Sequence, residues 1–515
     1  MTFVRRGSGL PGYEGLTTFA GDIHNHCGIS YGHGSIDDAY RNARLQLDFA
    51  SVTGHAAWHD MPDEPAHVAE YHRRGFARLR EHWGEVQDFT EEVNNPHSFV
   101  SFLSFEWHSL AYGDHCVYYD TGRGPLDPSN ANDLPSLRRA LRDVRLRGAD
   151  AMVLPHHIGY RSGRRGVNWD AYTEEFSPVV ELVSMHGSGE HHDSPRPYLH
   201  TMGPRDIGST ATTGLARGGR FGFIGSTDHH SAHPGSYGHG LAMVWAEDLT
   251  RESIWQAIRQ RRTYAATGGR IMLATSINGA PMGSTVVANG ERRILVDVRG
   301  GNALDRVEII RNGEVIARNE LATAAARDAD FSGIVSVAMG WGEVGIPVDW
   351  DVELELRGGR IDAVEPRLHG YDTLADQAGE TDKYSFSAWE QRDERTIRLR
   401  TRTRGNPTVS TDATQRLAVH VSADRNAELV ATVNGREFTA TITDMLDGPH
   451  VHYLGGFLSG AFAFEKAVQN TDASLQWEIS DKGGRTSEDW YYVRVSQVDD
   501  QHAWSSPIWV SDASA

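Results

Sequence analysis

Aspartate, glutamate and histidine end apolar, strand-like runs at five places in the first half of this chain: Gly21-Asp22-Ile23-His24-Asn25-His26, Thr53-Gly54-His55, Glu106, Pro155-His156-His157 and Asp228-His229-His230. Neutral imidazole nitrogens and carboxylate oxygens are ligands for zinc, manganese or iron. Donors drawn from many strand ends converge when those strands form a barrel or an open sheet. Of 26 histidines only five, His369, His420, His450, His452 and His502, follow residue 270. A lone His-x-His is weak evidence in so histidine-rich a chain, but five strand ends with one chemistry predict a multi-metal hydrolytic site.

Each end contributes in its own way. His24 and His26 stand two apart, so their side chains share one side of a strand, and Asp228 and His230 do the same with His229 turned away. His55 closes the run Leu47 to Gly54, and His156 follows Ala151 to Leu154. Glu106 follows the strongly apolar Phe99 to Phe105; a carboxylate there needs a charged or hydrogen-bonded partner, a need that bridging two metal ions meets. His115, within Gly113-Asp114-His115-Cys116-Val117, is a further ligand candidate. Arg161 and Arg164, with Arg165, occupy a glycine-rich loop where guanidinium forks can clamp a phosphate or carboxylate. His186 and Glu190 follow the run Val179 to Ser184 and are the candidates for proton donor to a leaving group. Glu181, inside that run, suits a supporting role behind the ligands. His59 and His108 help shape the pocket, with no assigned role.

The elements that must carry these groups alternate between β-like and helical runs from Leu16 to Trp245, the signature of an α/β fold with mainly parallel strands. Seven strands are predicted: 17–23, 47–52, 99–105, 151–154, 179–184, 221–225 and 241–245. Helices are predicted over 35–46, 64–93, 133–147 and 251–262, the last with Thr250 as its N-cap. After Gly268-Gly269 the helical patterns fade and alternating runs take over, punctuated by Asn312-Gly313 and Asn434-Gly435 hairpin signals. The division expected is therefore 1–270 as the metal-binding part and 271–515 as a β-rich, sandwich-like region, packed together rather than tethered.

Charge and composition narrow the function. Fifty basic against 69 acidic residues give a net charge of −19, with no basic run, which argues against nucleic acid as a partner. An anionic small-molecule substrate stays compatible, since bound cations dominate the local field of such a site. Cys27 and Cys116 each follow a histidine, the pattern of reduced thiols near a metal rather than of a disulfide. Residues 1–20 lack signal-peptide features and no stretch approaches a membrane span, so a cytoplasmic protein without membrane attachment is expected, and an oligomer is compatible with the sequence.

The succession Asp22/His24/His26, His55, Glu106, His156 and Asp228-x-His230 resembles the PHP superfamily, named for polymerase and histidinol phosphatase domains, over about residues 15–270. Within it, Gly225 to Gly240 and Arg261-Arg262-Thr263-Tyr264-Ala265-Ala266-Thr267-Gly268 resemble the branch that includes carbaryl-hydrolase-like metallohydrolases, whose members carry β-rich additions. The resemblance implies a distorted seven-stranded β/α barrel, followed here by the β-sandwich-like region, and two or three divalent ions. It implies a first ion on His24, His26, Glu106 and Asp228, a second on His115 and His156 with Glu106 bridging, and a third on His33, His55 and His230. The expected activity is hydrolysis by a metal-bridging hydroxide, on a phosphoester of a small molecule first and on a carboxylic ester, carbamate or amide second. The reading from another class is a carbohydrate- or ligand-binding protein with an inactive barrel, in which Trp389, Trp477, Trp490 and Trp504 stack on sugars.

Overall fold

The computed structural model describes residues 3–63, 65–198, 204–288, 290–321, 330–342, 346–370, 386–404, 414–455, 459–484 and 487–512. In the first half the strands are β1 (Thr17–Asp22), β2 (Phe49–Ala50), β3 (Gly54–Trp58), β4 (Val100–Ser101), β5 (Leu103–His108), β6 (His115–Tyr119), β7 (Ala151–Pro155), β8 (Val179–Ser184), β9 (Gly187–Ser188), β10 (Gly222–Gly225), β11 (Leu241–Ala246) and β12 (Thr263–Ala266). The helices among them are α1 (Ile36–Arg44), α2 (Ala66–Val93), α3 (Leu134–Leu146), α4 (Ala211–Ala216) and α5 (Arg251–Arg259). Helix starts follow capping chemistry. Ser35 and Asp38 form a reciprocal capping box on α1, and the Asp133 and Thr250 side chains accept from Ser136 N–H and Ser253 N–H. Glu64, in the expected start of the second helix, lies outside the described residues. The long helix α2 buries Phe76, Leu79, Trp83, Val86 and Val93 on one stripe, at the three- and four-residue spacing of a core-facing helix.

The strand pairing departs from the expected barrel. Among the described residues it does not close into a ring. β1, β2 and β4 run parallel in one sheet, β3 and β5 begin another that continues antiparallel through β6 and β7, and β8 and β10 form a third with the short β9. The predicted strand 99–105 is interrupted, so β4 and β5 lie in different sheets, and β3 begins a new sheet past the end of the predicted 47–52, which holds β2. Parallel pairs therefore do not dominate. The β6 strand, which is not among the seven predicted, contributes to this: its antiparallel pairing on both sides breaks the β/α alternation.

The β-rich remainder is spread over three sheets. One has nine strands and another four. The third is a continuation of the β1 sheet, because β12 pairs antiparallel with His502–Ser505, which pairs with Glu488–Gln497. This ladder carries backbone hydrogen bonds across residue 270 and brings the last strands beside the site. Trp389, Trp490 and Trp504 are buried and Trp477 is half-buried against the core, with the Trp389 and Trp504 indole N–H groups donating to Leu45 O and Glu190. Burial removes Trp389, Trp490 and Trp504 as platforms for sugars. None of the described helices is long and apolar enough to cross a membrane.

Candidate metal centre

The site forms where β1 ends against the segment after β10. His26 N–H donates to His229 O, and Asp228 N–H donates to His24 O, both at 2.7 Å, so residues 24–26 and 228–230 run side by side. Asp22 locks this junction. Its carboxylate accepts from Thr227 N–H, Thr227 Oγ1 (2.6 Å), Gly235 N–H and His24 N–H, and burial pushes its pKa up. It is a backbone organiser rather than a donor to the centre.

Glu106 sits at the middle. One oxygen, Oε1, lies 2.7 Å from His156 Nε2 and 3.9 Å from His24 Nε2. The other, Oε2, lies 3.1 Å from His55 Nε2, 3.4 Å from His108 Nε2 and 3.7 Å from His26 Nε2. A single carboxylate thus faces two separate groups of imidazoles. Asp228 is the second hub, with Oδ1 3.0 Å from His26 Nε2 and 3.3 Å from His24 Nε2, and Oδ2 2.9 Å from His186 Nε2 and 3.0 Å from His157 Nε2. Donor atoms lie within 4.8 Å of one another in the trios His24/His26/Asp228, His26/His55/His230, His55/Glu106/His108, Asp114/His156/His157 and His24/Cys116/His156, all buried.

These residues fit divalent cations. His24 Nε2 and His26 Nε2 face each other at 3.2 Å, and Glu106 Oε2 is buried without a hydrogen-bond partner among the described residues. So many inward-facing lone pairs repel one another unless protons or cations lie between them. The titration pattern says the same. Burial raises the Glu106 carboxyl, but His108, His156 and His26 outweigh it and hold it below the usual carboxylate range. Burial drives His55, His156 and His230 well below the ordinary histidine range, keeping their nitrogens available as ligands.

Supporting groups orient the rings. Glu181 Oε2 takes His24 Nδ1 at 2.7 Å, and Ser30 Oγ lies 3.1 Å from His55 Nδ1. Tyr31 stacks on His55 with centroids 3.4 Å apart and reaches His108 Nε2 with its hydroxyl at 3.2 Å. It can lie there because Gly75 in α2 has no side chain: a Cβ would come within 2.5 Å of the Tyr31 ring. Asp228, His157 and Arg165 all adopt positive φ, at 54°, 56° and 73°. Non-glycine residues in that region carry strain that the surrounding structure must hold in place.

Four expected site residues are placed differently. His115 faces away from the centre: Glu106 pairs with Cys116 across β5 and β6, so Cys116 shares its side and His115, one residue back, turns out toward Gly113 O at 2.9 Å. Glu190 is not poised to give a proton. Both its oxygens are 3.0 Å from Arg494 NH1, and it also accepts from Tyr492 Oη (2.6 Å) and Trp504 Nε1 (2.7 Å). Arg161 and Arg164 are exposed, Arg161 bonding Asp206 at 3.0 Å. Arg165 points inward instead, its Nε 2.7 Å from Asp114 and NH2 3.1 Å from His108 Nδ1, with its guanidinium over Trp58.

His24, His26, His55, Glu106, His156, Asp228, His230 and His186 are brought together. His33 is half-buried and linked to them through its backbone N–H, which donates to His230 O at 2.8 Å. His229 turns from the centre, its Nδ1 accepting from Ser231 N–H. His59 instead bonds Ser129 O at 3.0 Å. Sequence reasoning gave no role to His108, His157 or Asp114. The signal for His108 was present, since it stands two residues past Glu106 on the same strand face. His157 and Asp114 depend on loop conformations that spacing does not disclose.

A family model described as "Protein of unknown function (DUF3604)" matches residues 236–277. An uncharacterized protein of Chlamydia pneumoniae is 34% identical over 172 residues, 30% of this chain and 28% of that protein. An uncharacterized protein of Chlamydia trachomatis serovar D is 31% identical over a stretch of the same length and coverage. A methanol:N,N-dimethyl-4-nitrosoaniline oxidoreductase of Amycolatopsis methanolica is 26% identical over 165 residues, 28% of this chain and 38% of that one. The alignments thus span less than a third of the chlamydial relatives. A crystal structure of a two-domain protein from Bacteroides vulgatus, described as containing a predicted PHP-like metal-dependent phosphoesterase, aligns over 86% of this chain and 100% of that one, at 14% identity and a TM-score of 0.33. A likeness that weak bears on neither fold nor chemistry.

Proposed function

We propose that the protein is a metal-dependent hydrolase of the PHP type, acting on phosphoesters of small molecules. The observation that carries this reading is Glu106, whose two oxygens face different imidazole groups at 2.7 Å and 3.1 Å. Such a carboxylate could serve two ions, one through each oxygen. His24, His26 and Asp228 would hold one, His156 with Glu106 the next, and His55 and His230 a third, with zinc, manganese or iron the ions that suit these donors. Bound there, divalent ions supply Lewis acidity toward the substrate oxygen and acidify a water.

The chain's own groups do the rest. Arg165, anchored through Nε to Asp114, presents a guanidinium beside His108 and suits an anionic phosphate better than a neutral ester, carbamate or amide. His157 lies between Asp114 and Asp228, 3.2 Å and 3.0 Å away. Burial lowers its basicity, but those two carboxylates outweigh it and raise its pKa to about 9. It can therefore hold a proton beside the reacting groups, and His186, 2.9 Å from the same Asp228 oxygen, can accept or return one.

The test is metal analysis of the purified protein followed by a hydrolysis screen over phosphate monoesters, phosphodiesters, carboxylic esters, carbamates and amides, with Glu106→Gln as control. Phosphoester turnover that needs divalent metal and disappears in Glu106→Gln supports the proposal. Turnover that survives complete metal removal ends it.

A further inference from the structure

His156 uses both ring nitrogens. Nε2 faces Glu106, while Nδ1 lies 3.7 Å from Cys116 Sγ, on the side away from the centre. Donor atoms of Cys116, His156 and His24 all lie within 4.8 Å of one another. Beside them is a cavity of about 10 Å³ lined by Cys116, His156, Glu181 and Ser226 with apolar neighbours, about the size of one water or one ion. Glu181 reaches it with an oxygen to spare: Oε2 is used by His24, whereas Oε1 is buried without a hydrogen-bond partner among the described residues. The Glu181 side chain is only 6% exposed. Nothing in the proposed hydrolysis uses this thiol or that oxygen.

We propose that Cys116, His156, His24 and Glu181 form a rear cation site selective for thiophilic divalent ions such as zinc or cadmium. A thiolate sulfur, two imidazoles and a carboxylate make a soft-to-borderline donor set, which magnesium, calcium and manganese bind poorly. Binding forms a sulfur–metal bond and breaks the Cys116 S–H bond, the proton leaving to solvent. The thiolate and the Glu181 carboxylate together balance a dication, which makes the exchange tolerable in a buried place. Because His24 and His156 also serve the front centre, filling the rear site withdraws them from it, and thiophilic cations should inhibit. That consequence rests on the hydrolase reading; the site itself does not.

The experiment is a titration of manganese-loaded protein with cadmium, following the ultraviolet thiolate-to-cadmium charge-transfer absorption. The expected result is a band that saturates at a single equivalent, is abolished in Cys116→Ser and Cys116→Ala, and is retained in Cys27→Ser, Cys27 being the other of two cysteines. Glu181→Gln should keep the band but weaken cadmium binding about tenfold or more. Absence of the band in the unmodified protein, or its survival without Cys116, overturns the proposal. Melting curves show that each variant is folded. A protein that shows the band but hydrolyses nothing keeps this inference and sinks the hydrolase, so the two fail separately.

Discussion

Arg494 places NH1 3.0 Å from both carboxylate oxygens of Glu190, joining residues 304 apart in the chain. Glu190 ends the turn that begins at β8 and carries His186, so the β-rich half grips a loop of the candidate centre. Arg494→Ala leaves a buried carboxylate without its cation and should cost about 3–5 kcal/mol, read by urea denaturation. Turnover should fall with it, because the loop that carries His186 loses its anchor. Unchanged stability would show that the pair is incidental.

Glu181→Gln should weaken binding of the front metal about 10- to 100-fold, since the amide no longer fixes His24 Nδ1 as a carboxylate does. Glu106→Gln should lose bound metal outright. Elemental analysis and calorimetric titration distinguish the two, and equal losses would argue against a bridging role for Glu106.

Arg165→Ala should reduce kcat/KM for anionic substrates by about 10- to 100-fold, the worth of one charge-assisted contact. Arg161→Ala and Arg164→Ala should change it less than twofold, because both side chains are exposed. Steady-state kinetics on the three variants checks this, and a strong effect at Arg161 would reverse the assignment.

His157 has a folded pKa of about 9, above its ordinary value near 6.5. The stability it contributes is therefore complete below about pH 6.5 and fades as pH rises through about 9. Metal-free protein should show a falling Tm across that window, and His157→Gln should flatten the fall. A Tm that climbs with pH in the same range would contradict the assignment.

Removing metal should destabilise the fold, as any ligand bound by the native state alone stabilises it, by about 2.7 kcal/mol at a hundredfold excess over Kd. Denaturation with and without chelator measures this directly. No difference would mean the clustered histidines hold no metal.

The sequence alone determined which residues make up the candidate site: strand ends rich in histidine and carboxylate, the residues Glu106, Asp228, His24, His26, His55 and His156, which the fold brings together, and the change to β-rich texture near residue 270. Those features are local, because apolar runs, caps and i, i+2 alternation are readable from neighbours along the chain. Which face each residue presents was another matter. The pairing register of β5 with β6 puts Cys116, not His115, on the side of Glu106, and a shift of one residue turns every side chain over. Arg165 turns inward through a positive-φ turn while Arg161 and Arg164 stay exposed, and Glu190 is held by Arg494, Tyr492 and Trp504 from the far end of the chain. The open set of sheets replaced the ring for the same reason. Strand pairing, register and long-range partners are contacts between residues far apart in sequence, and only the folded chain decides them.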